Sequence, residues 1–267
     1  MSSTSTRPTV ILFDVDGTLL RFCSCHSRAF HEALLKVLKI DADITEVSYD
    51  GCTDAAILAM MMTYHDVPLD VQTAQMPTIM NEMTSYVNEQ IQHDEKIILL
   101  PGVPTLLQEI RATPGVFMGL TTGNLEPIAH AKLSRLGIAE PFHYQGYHHA
   151  QDYPYPWLGG FGSDNPAKAS DLTFNASQRR GRLIRGAVER AKRMLGCDDI
   201  DVHYFGDTPI DMGGAHEAGV HCLAVATGAF SKEELLQHAQ DGDAVLDNLT
   251  DSQLVLRLLG LRAPLPN

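Results

Sequence analysis

Positive charge is scarce in this chain: 20 Lys and Arg stand against 33 Asp and Glu, a formal net charge of −13 over 267 residues. That balance repels phosphate backbones and anionic lipid surfaces, so nucleic acid and membranes are not expected partners. Any anion site must be locally basic or hold a metal. Long apolar runs are missing too. None approaches the length of a transmembrane helix, and the Ser/Thr-rich start, Met1 to Thr9, lacks the apolar core of a signal peptide. The five cysteines, at 23, 25, 52, 197 and 222, are odd in number and form neither a disulfide framework nor a zinc spacing. A reducing, cytoplasmic setting is the expectation. Cys23 and Cys25 lie close together, either as small residues in a partly buried turn or as redox-sensitive thiols. No internal repeat or low-complexity linker divides the chain. Its length suits one large domain, or a domain with a sizeable insertion.

What is present begins with Val10-Ile-Leu-Phe-Asp14-Val-Asp16-Gly17-Thr18. A run of β-formers leads into two carboxylates one residue apart, which reads as a buried strand ending in a reactive loop. In open α/β sheets that end of the strand is where ligands bind. Residues two apart on extended backbone point the same way, so Asp14 and Asp16 are expected to converge. Two like charges held together call for a divalent cation, or for one carboxyl kept protonated as an acid, or both.

From about His26 to about Asp94 apolar residues recur at helical spacing with no intervening strand, as an inserted helical domain would; the expected division is a core of residues 1–20 and 98–267 and a cap of 21–97. Alternating strand and helix then resume. Val116 to Thr121 is a second buried strand, ending in Thr121-Thr122-Gly123-Asn124, where a helix start and a hydroxyl make a natural phosphate seat. Phe142 to Ser177 reads as a long loop, and its His143, His148 and His149 lack the carboxylates that would mark a metal site. A helix is expected over Gly181 to Leu195. The strand Val202 to Phe205 follows, ending in Gly206-Asp207-Thr208-Pro209-Ile210-Asp211, and a last strand and helices close the chain. The fold class is thus α/β, a Rossmann-like parallel sheet with an inserted α-helical cap, and three strand ends bring Asp14, Asp16, Thr122, Asp207 and Asp211 to one edge.

Asp-x-Asp-Gly-Thr, a Thr at a second strand end, a basic residue and Gly-Asp-x-x-x-Asp, in this order, resemble the haloacid dehalogenase superfamily. The place of the helical insertion resembles that of its phosphoglycolate phosphatase-like members. The resemblance implies an enzyme that hydrolyses a small phosphorylated metabolite with Mg²⁺. Asp14 would be the nucleophile, forming an aspartyl-phosphate, and Asp16 the acid and base. Thr122, with Thr18, Gly123 and Asn124, would hold phosphoryl oxygens, and Asp14, Asp16, Asp207 and Asp211 would serve the metal. The second aspartate, absent from the dehalogenases themselves, favours phosphate esters. A phosphomutase, a dehalogenase or a catalytically silent binding member of the superfamily are the alternatives. Oligomeric state is not legible.

The resemblance also requires a cation near the phosphate, with Lys168, Arg179, Arg180, Arg182 and Arg185 as candidates. Aligning Leu183-Ile184-Arg185 with a subgroup that uses an arginine selects Arg180. In the cap, Gly51-Cys52-Thr53-Asp54 resembles a Gly-Arg-Thr-Asp segment, with Cys52 where arginine is usual. It serves substrate recognition, or Thr53 caps a helix.

Overall fold

The computed structural model describes residues 7–21, 23–49, 51–143, 157–164 and 173–262. Strand β1 (Thr9–Phe13) sits in the middle of a six-stranded parallel sheet, between β4 (Val116–Thr122) and β6 (Asp201–Gly206). Outside them lie β5 (Gly159–Phe161) on one side and β7 (His221–Val225) and β8 (Ala244–Leu246) on the other. The chain leaves β1 toward β4 and returns on its far side at β6, so the connectivity reverses at β1, where such sheets open a crevice. Phe13 is level with Leu120 and Phe205. The three strand ends therefore meet.

Alternation along β1 serves two cores. Ile11 and Phe13 join the layer that includes helices α1 (Ser24–Leu38), α2 (Asp54–Tyr64), α3 (Leu69–Gln90), α4 (Val103–Arg111), α5 (Glu126–Arg135) and the closing α9 (Ser252–Leu258). Val10 and Leu12 join the opposite layer with α6 (Ala176–Leu195), α7 (Pro209–Ala218) and the short α8 (Lys232–Leu236). Phe13 stacks on Phe205 with ring centroids 4.8 Å apart. Burying one such ring contributes about 1.5–3 kcal/mol, and here it clamps two of the site-bearing strands.

The expected helical stretch is three helices. Lys39, in the left-handed conformation, ends α1; a 3₁₀ turn at Ile44–Glu46 follows, and Thr53 caps α2 by accepting the amide of Ala56. These helices lie between β2 (Leu20–Arg21) and β3 (Ile98–Leu99), which pair antiparallel as a two-stranded junction. Within the expected loop, β5 forms because its backbone pairs with Leu120–Thr122, a tertiary gain that Gly-Gly-Phe does not advertise. Helix α6 begins five residues earlier than its periodicity predicts: Asn175 and Gln178 form a reciprocal cap. His148, His149, Lys168 and the Tyr/Pro segment 153–156 lie outside the described residues. Among those described, no helix is long and apolar enough to cross a membrane.

Candidate active site

Asp14 follows directly on β1, and its amide donates to the carbonyl of Phe205 (2.8 Å). The chain then turns at Gly17, which has φ +82°; a Cβ there would stand 2.2 Å from an Asp207 oxygen. Glycine is the residue that allows both the turn and that approach. Asp207, at the end of β6, thus sits under the Asp14 loop. Carboxylate oxygens of Asp14, Asp207 and Asp211 all lie within 4.8 Å of one another, and all three residues are buried.

Arg180, on the first turns of α6, reaches into this cluster. Its Nη1 is 3.2 Å from Asp14 Oδ1 and its Nε 3.0 Å from Asp211 Oδ1. Burial pushes the Asp14 carboxyl up to about 7, against the pull of Arg180 and with the repulsion of Asp211 and Asp16. Asp207 is also raised, by burial and then by Asp211 and Asp14. Asp211 is saturated. It accepts from Tyr204 Oη (2.7 Å), Thr208 Oγ1 (2.7 Å) and the amides of Thr208 (3.1 Å) and Asp207 (3.3 Å), and it is ion-paired with Arg180. Its task in this arrangement is to orient, because its lone pairs already have donors.

Of the other candidate cations, Arg179 donates to the carbonyl of Phe174 and lies 4.0 Å from Cys52 Sγ. Arg182 stacks over the Phe174 ring, and Arg185 donates to the carbonyl of Glu217 (2.5 Å). None of these three meets Asp14.

Asp16 and Asp14 do not converge on one partner. The Asp16 side chain, 38 % exposed, turns to Lys132 (2.6 and 2.8 Å) and to Asn124 Nδ2 (2.9 Å). Burial works against its ionisation, but Lys132 first and His26 next more than offset this and hold the carboxyl below its ordinary range. Lys132 is fully buried, and its Nζ also donates to Asn124 Oδ1 (2.6 Å) and lies 2.9 Å from His26 Nδ1. The sequence reading missed this lysine. A signal existed: on α5, Lys132 stands one turn beyond buried Ile128 and so shares its inward face.

Thr122 is buried beside the cavity, and its hydroxyl accepts the amide of Asn124 (3.3 Å). Thr18 is fully buried and gives its hydroxyl to Asp207 (3.3 Å). Gly123 makes room for the turn that leads into α2. A Cβ on it would stand 2.2 Å from the carbonyl of Cys52, and its own carbonyl accepts the amide of Asp54 (2.8 Å). The Asp54 carboxylate in turn accepts the amide of Leu125 (2.8 Å) and lies 3.2 Å from His26 Nε2.

Between the helical block and the strand ends lies a cavity of about 400 Å³. Asp14, Asp16, Thr122, Arg180 and Asp207 line one side, and Phe30, Ile44, Tyr49, Cys52 and Ile57 the other. The arrangement offers a buried carboxylate held by an arginine, a second carboxylate held by a lysine, and an apolar wall facing both.

A family model described as haloacid dehalogenase-like hydrolase matches residues 11–149, and a second, HAD-hydrolase-like model matches residues 179–252. No curated protein sequence matches significantly. Among solved structures the chain resembles a predicted phosphoglycolate phosphatase from Haemophilus somnus 129PT (15 % identity, TM-score 0.58, 94 % of this chain and 99 % of that one). It also resembles CbbY from Rhodobacter sphaeroides in complex with phosphate (18 %, 0.58, 91 % and 96 %) and a β-phosphoglucomutase from Clostridium difficile (17 %, 0.59, 96 % and 98 %). At such identities these likenesses speak for the fold.

Proposed function

The chain belongs to the haloacid dehalogenase-like hydrolases, and we propose that within that family it is a Mg²⁺-dependent phosphatase that hydrolyses a small phosphomonoester through an aspartyl-phosphate. The observation that carries this reading is the gathering of Asp14, Asp207 and Asp211 within 4.8 Å around Arg180, at the ends of adjacent strands and facing a cavity.

Asp14 attacks phosphorus in line, and the bond to the leaving alkoxide breaks. Arg180 aims the Asp14 carboxylate and favours its ionised form against burial, and its fork has a further N–H for the phosphoryl group. An all-oxygen donor set suits a hard divalent cation, so Asp14, Asp207 and the backbone carbonyl of Asp16 would hold Mg²⁺, with Asp211 supporting from behind. Bound there, the ion screens the repulsion between nucleophile and phosphate. Thr122, its hydroxyl oriented by the Asn124 amide, and the amide of Gly123 would meet the nonreacting oxygens.

Asp16 gives a proton to the leaving oxygen and later takes one from the attacking water. Paired with Lys132 it rests ionised, which suits the second task. A phosphate dianion arriving beside it raises its proton affinity, which suits the first. The leaving group would lie against Phe30, Ile44, Tyr49 and Ile57. With Cys52 where related caps carry arginine, an uncharged leaving group fits better than a carboxylate.

The test is hydrolysis of p-nitrophenyl phosphate and of a panel of phosphorylated metabolites, with Mg²⁺ or EDTA, by the wild type and Asp14→Asn. Turnover should need Mg²⁺ and fall by about 10⁴-fold or more in the variant. Undiminished turnover in Asp14→Asn would sink the mechanism, and isomeric phosphate esters in place of free phosphate would make the enzyme a mutase.

A further inference from the structure

Cys23 and Cys25 have no part in that chemistry, yet the fold sets them side by side. Cys23 is the N-cap of α1 and Cys25 its second residue, with their sulfurs 3.4 Å apart. Asp94 pins this turn: its Oδ2 accepts the Cys25 amide (2.7 Å) and the Ser24 hydroxyl (2.9 Å), and its Oδ1 the Lys96 amide (3.0 Å). With its oxygens so engaged, Asp94 is a brace for the two thiols and not a third metal ligand. Both cysteines are buried, but Cys23 lines the cavity, so a small solute entering there can reach it.

The two sulfurs are unlike. A hydrogen bond from Cys25 lowers the Cys23 thiol to about 6; burial opposes this, and Lys132 and His26 add to it. The same contact and burial push Cys25 up. One sulfur is therefore a nucleophile at neutral pH, and its neighbour keeps a proton to lose later.

We propose that Cys23 and Cys25 form an oxidative modification site, at which a hydroperoxide entering the substrate cavity drives closure of a Cys23–Cys25 disulfide. The Cys23 thiolate attacks the peroxide oxygen; an S–O bond forms, the O–O bond breaks, and hydroxide or alkoxide leaves. Cys25 then loses its proton and attacks the Cys23 sulfur. The S–S bond forms, the S–O bond breaks, and hydroxide leaves with that proton as water. Two thiols are oxidised by two electrons and one peroxide is reduced. The sulfurs must close from 3.4 Å to about 2.05 Å, which draws on the start of α1. That helix carries His26, 2.9 Å from the Lys132 that holds Asp16. Closure therefore disturbs the acid/base pair and slows turnover. This last consequence rests on the proposed function, whereas the thiol chemistry does not.

The test treats the folded wild-type protein with hydrogen peroxide and maps the products by mass spectrometry. Expected are loss of two hydrogens in the peptide holding Cys23 and Cys25, reversal by dithiothreitol, and slower oxidation when Mg²⁺ and orthovanadate fill the cavity. Cys25→Ser should stop at a sulfenic acid on Cys23 that dimedone traps, and Cys23→Ser should leave Cys25 reduced. Oxidation falling on Cys52 or Cys197 while 23 and 25 stay thiols, or equal rates with and without vanadate, overturns the site. In parallel, p-nitrophenyl phosphate turnover should fall at least fivefold on oxidation and return with dithiothreitol; a disulfide that leaves turnover unchanged overturns the coupling to Asp16.

Discussion

Lys132 and Asp16 form an ion pair, 2.6 Å from Nζ to Oδ2, in which the lysine is fully buried and the aspartate keeps one side toward the cavity. Breaking such a pair by removing one member leaves the other charge poorly compensated. In Lys132→Met the Asp16 carboxyl rises, because its strongest stabilising charge is gone. Its base form is then populated only at higher pH. The acidic limb of the kcat/KM profile should move toward neutrality, with kcat down by roughly 10-fold or more. An unmoved or more acidic limb would mean that Asp16 does not govern it.

Arg180 and Arg179 are neighbours in sequence with different surroundings. Arg180→Ala should cost roughly 10²–10³-fold in kcat/KM, and Arg180→Lys should recover little, since an ammonium cannot bridge Asp14 and Asp211 as the fork does. Arg179→Ala should stay within a few-fold of wild type, because its guanidinium meets the Phe174 carbonyl and Cys52. The reverse ranking in steady-state kinetics would transfer the role to Arg179.

Metal and pH should be linked in stability. Asp14 and Asp207 are raised in the folded protein, so each contributes stability that is full below the ordinary carboxylate range and lost as pH rises through its folded value, about 7 for Asp14. A bound cation relieves that loss. In thermal melts Mg²⁺ should therefore raise Tm more at pH 8 than at pH 5, and at 100 times its Kd it should add about 2.7 kcal/mol. An equal or larger shift at pH 5, or an undiminished one in Asp207→Asn, would contradict the metal assignment.

Residues 21–97 are proposed to move as a lid hinged at β2 and β3. Gly123 is where the lid backbone presses on the core, with the Cys52 carbonyl 2.2 Å from a Cβ built there. Gly123→Ala should push the lid outward and raise KM severalfold, with less effect on Tm. Hydrogen exchange at Leu20–Arg21 and Ile98–Leu99 should slow when Mg²⁺ and vanadate are added. Indifference of both strands to the ligand would count against hinging there.

Local pattern was enough for the strands that carry the site, though not for β5, whose Gly-Gly-Phe becomes a strand only by pairing with β4. Apolar runs ending in Asp14, Thr122 and Asp207 announced three buried strands, because a strand end is a local event, but the partners that Asp16 and Thr18 take on the first loop were not legible there. The family followed from the same residues. Arg180 was legible only through a resemblance, since nothing local to α6 says which of its arginines faces Asp14. What α5 does with Lys132 was decided by tertiary structure: the residue lies 116 positions from Asp16, and only the packing of Ile128 and Leu133 into the core turns its side chain inward to meet the carboxylate. The pairing of Cys23 with Cys25 stands between the two cases. Their spacing is in the sequence, but the left-over question of whether the sulfurs point together was answered by Asp94, far along the chain, which holds the first turn of α1 so that they do. Periodicity reports which face of an element is buried; it carries no information on which distant charge that face will meet, and that is set by how the elements pack.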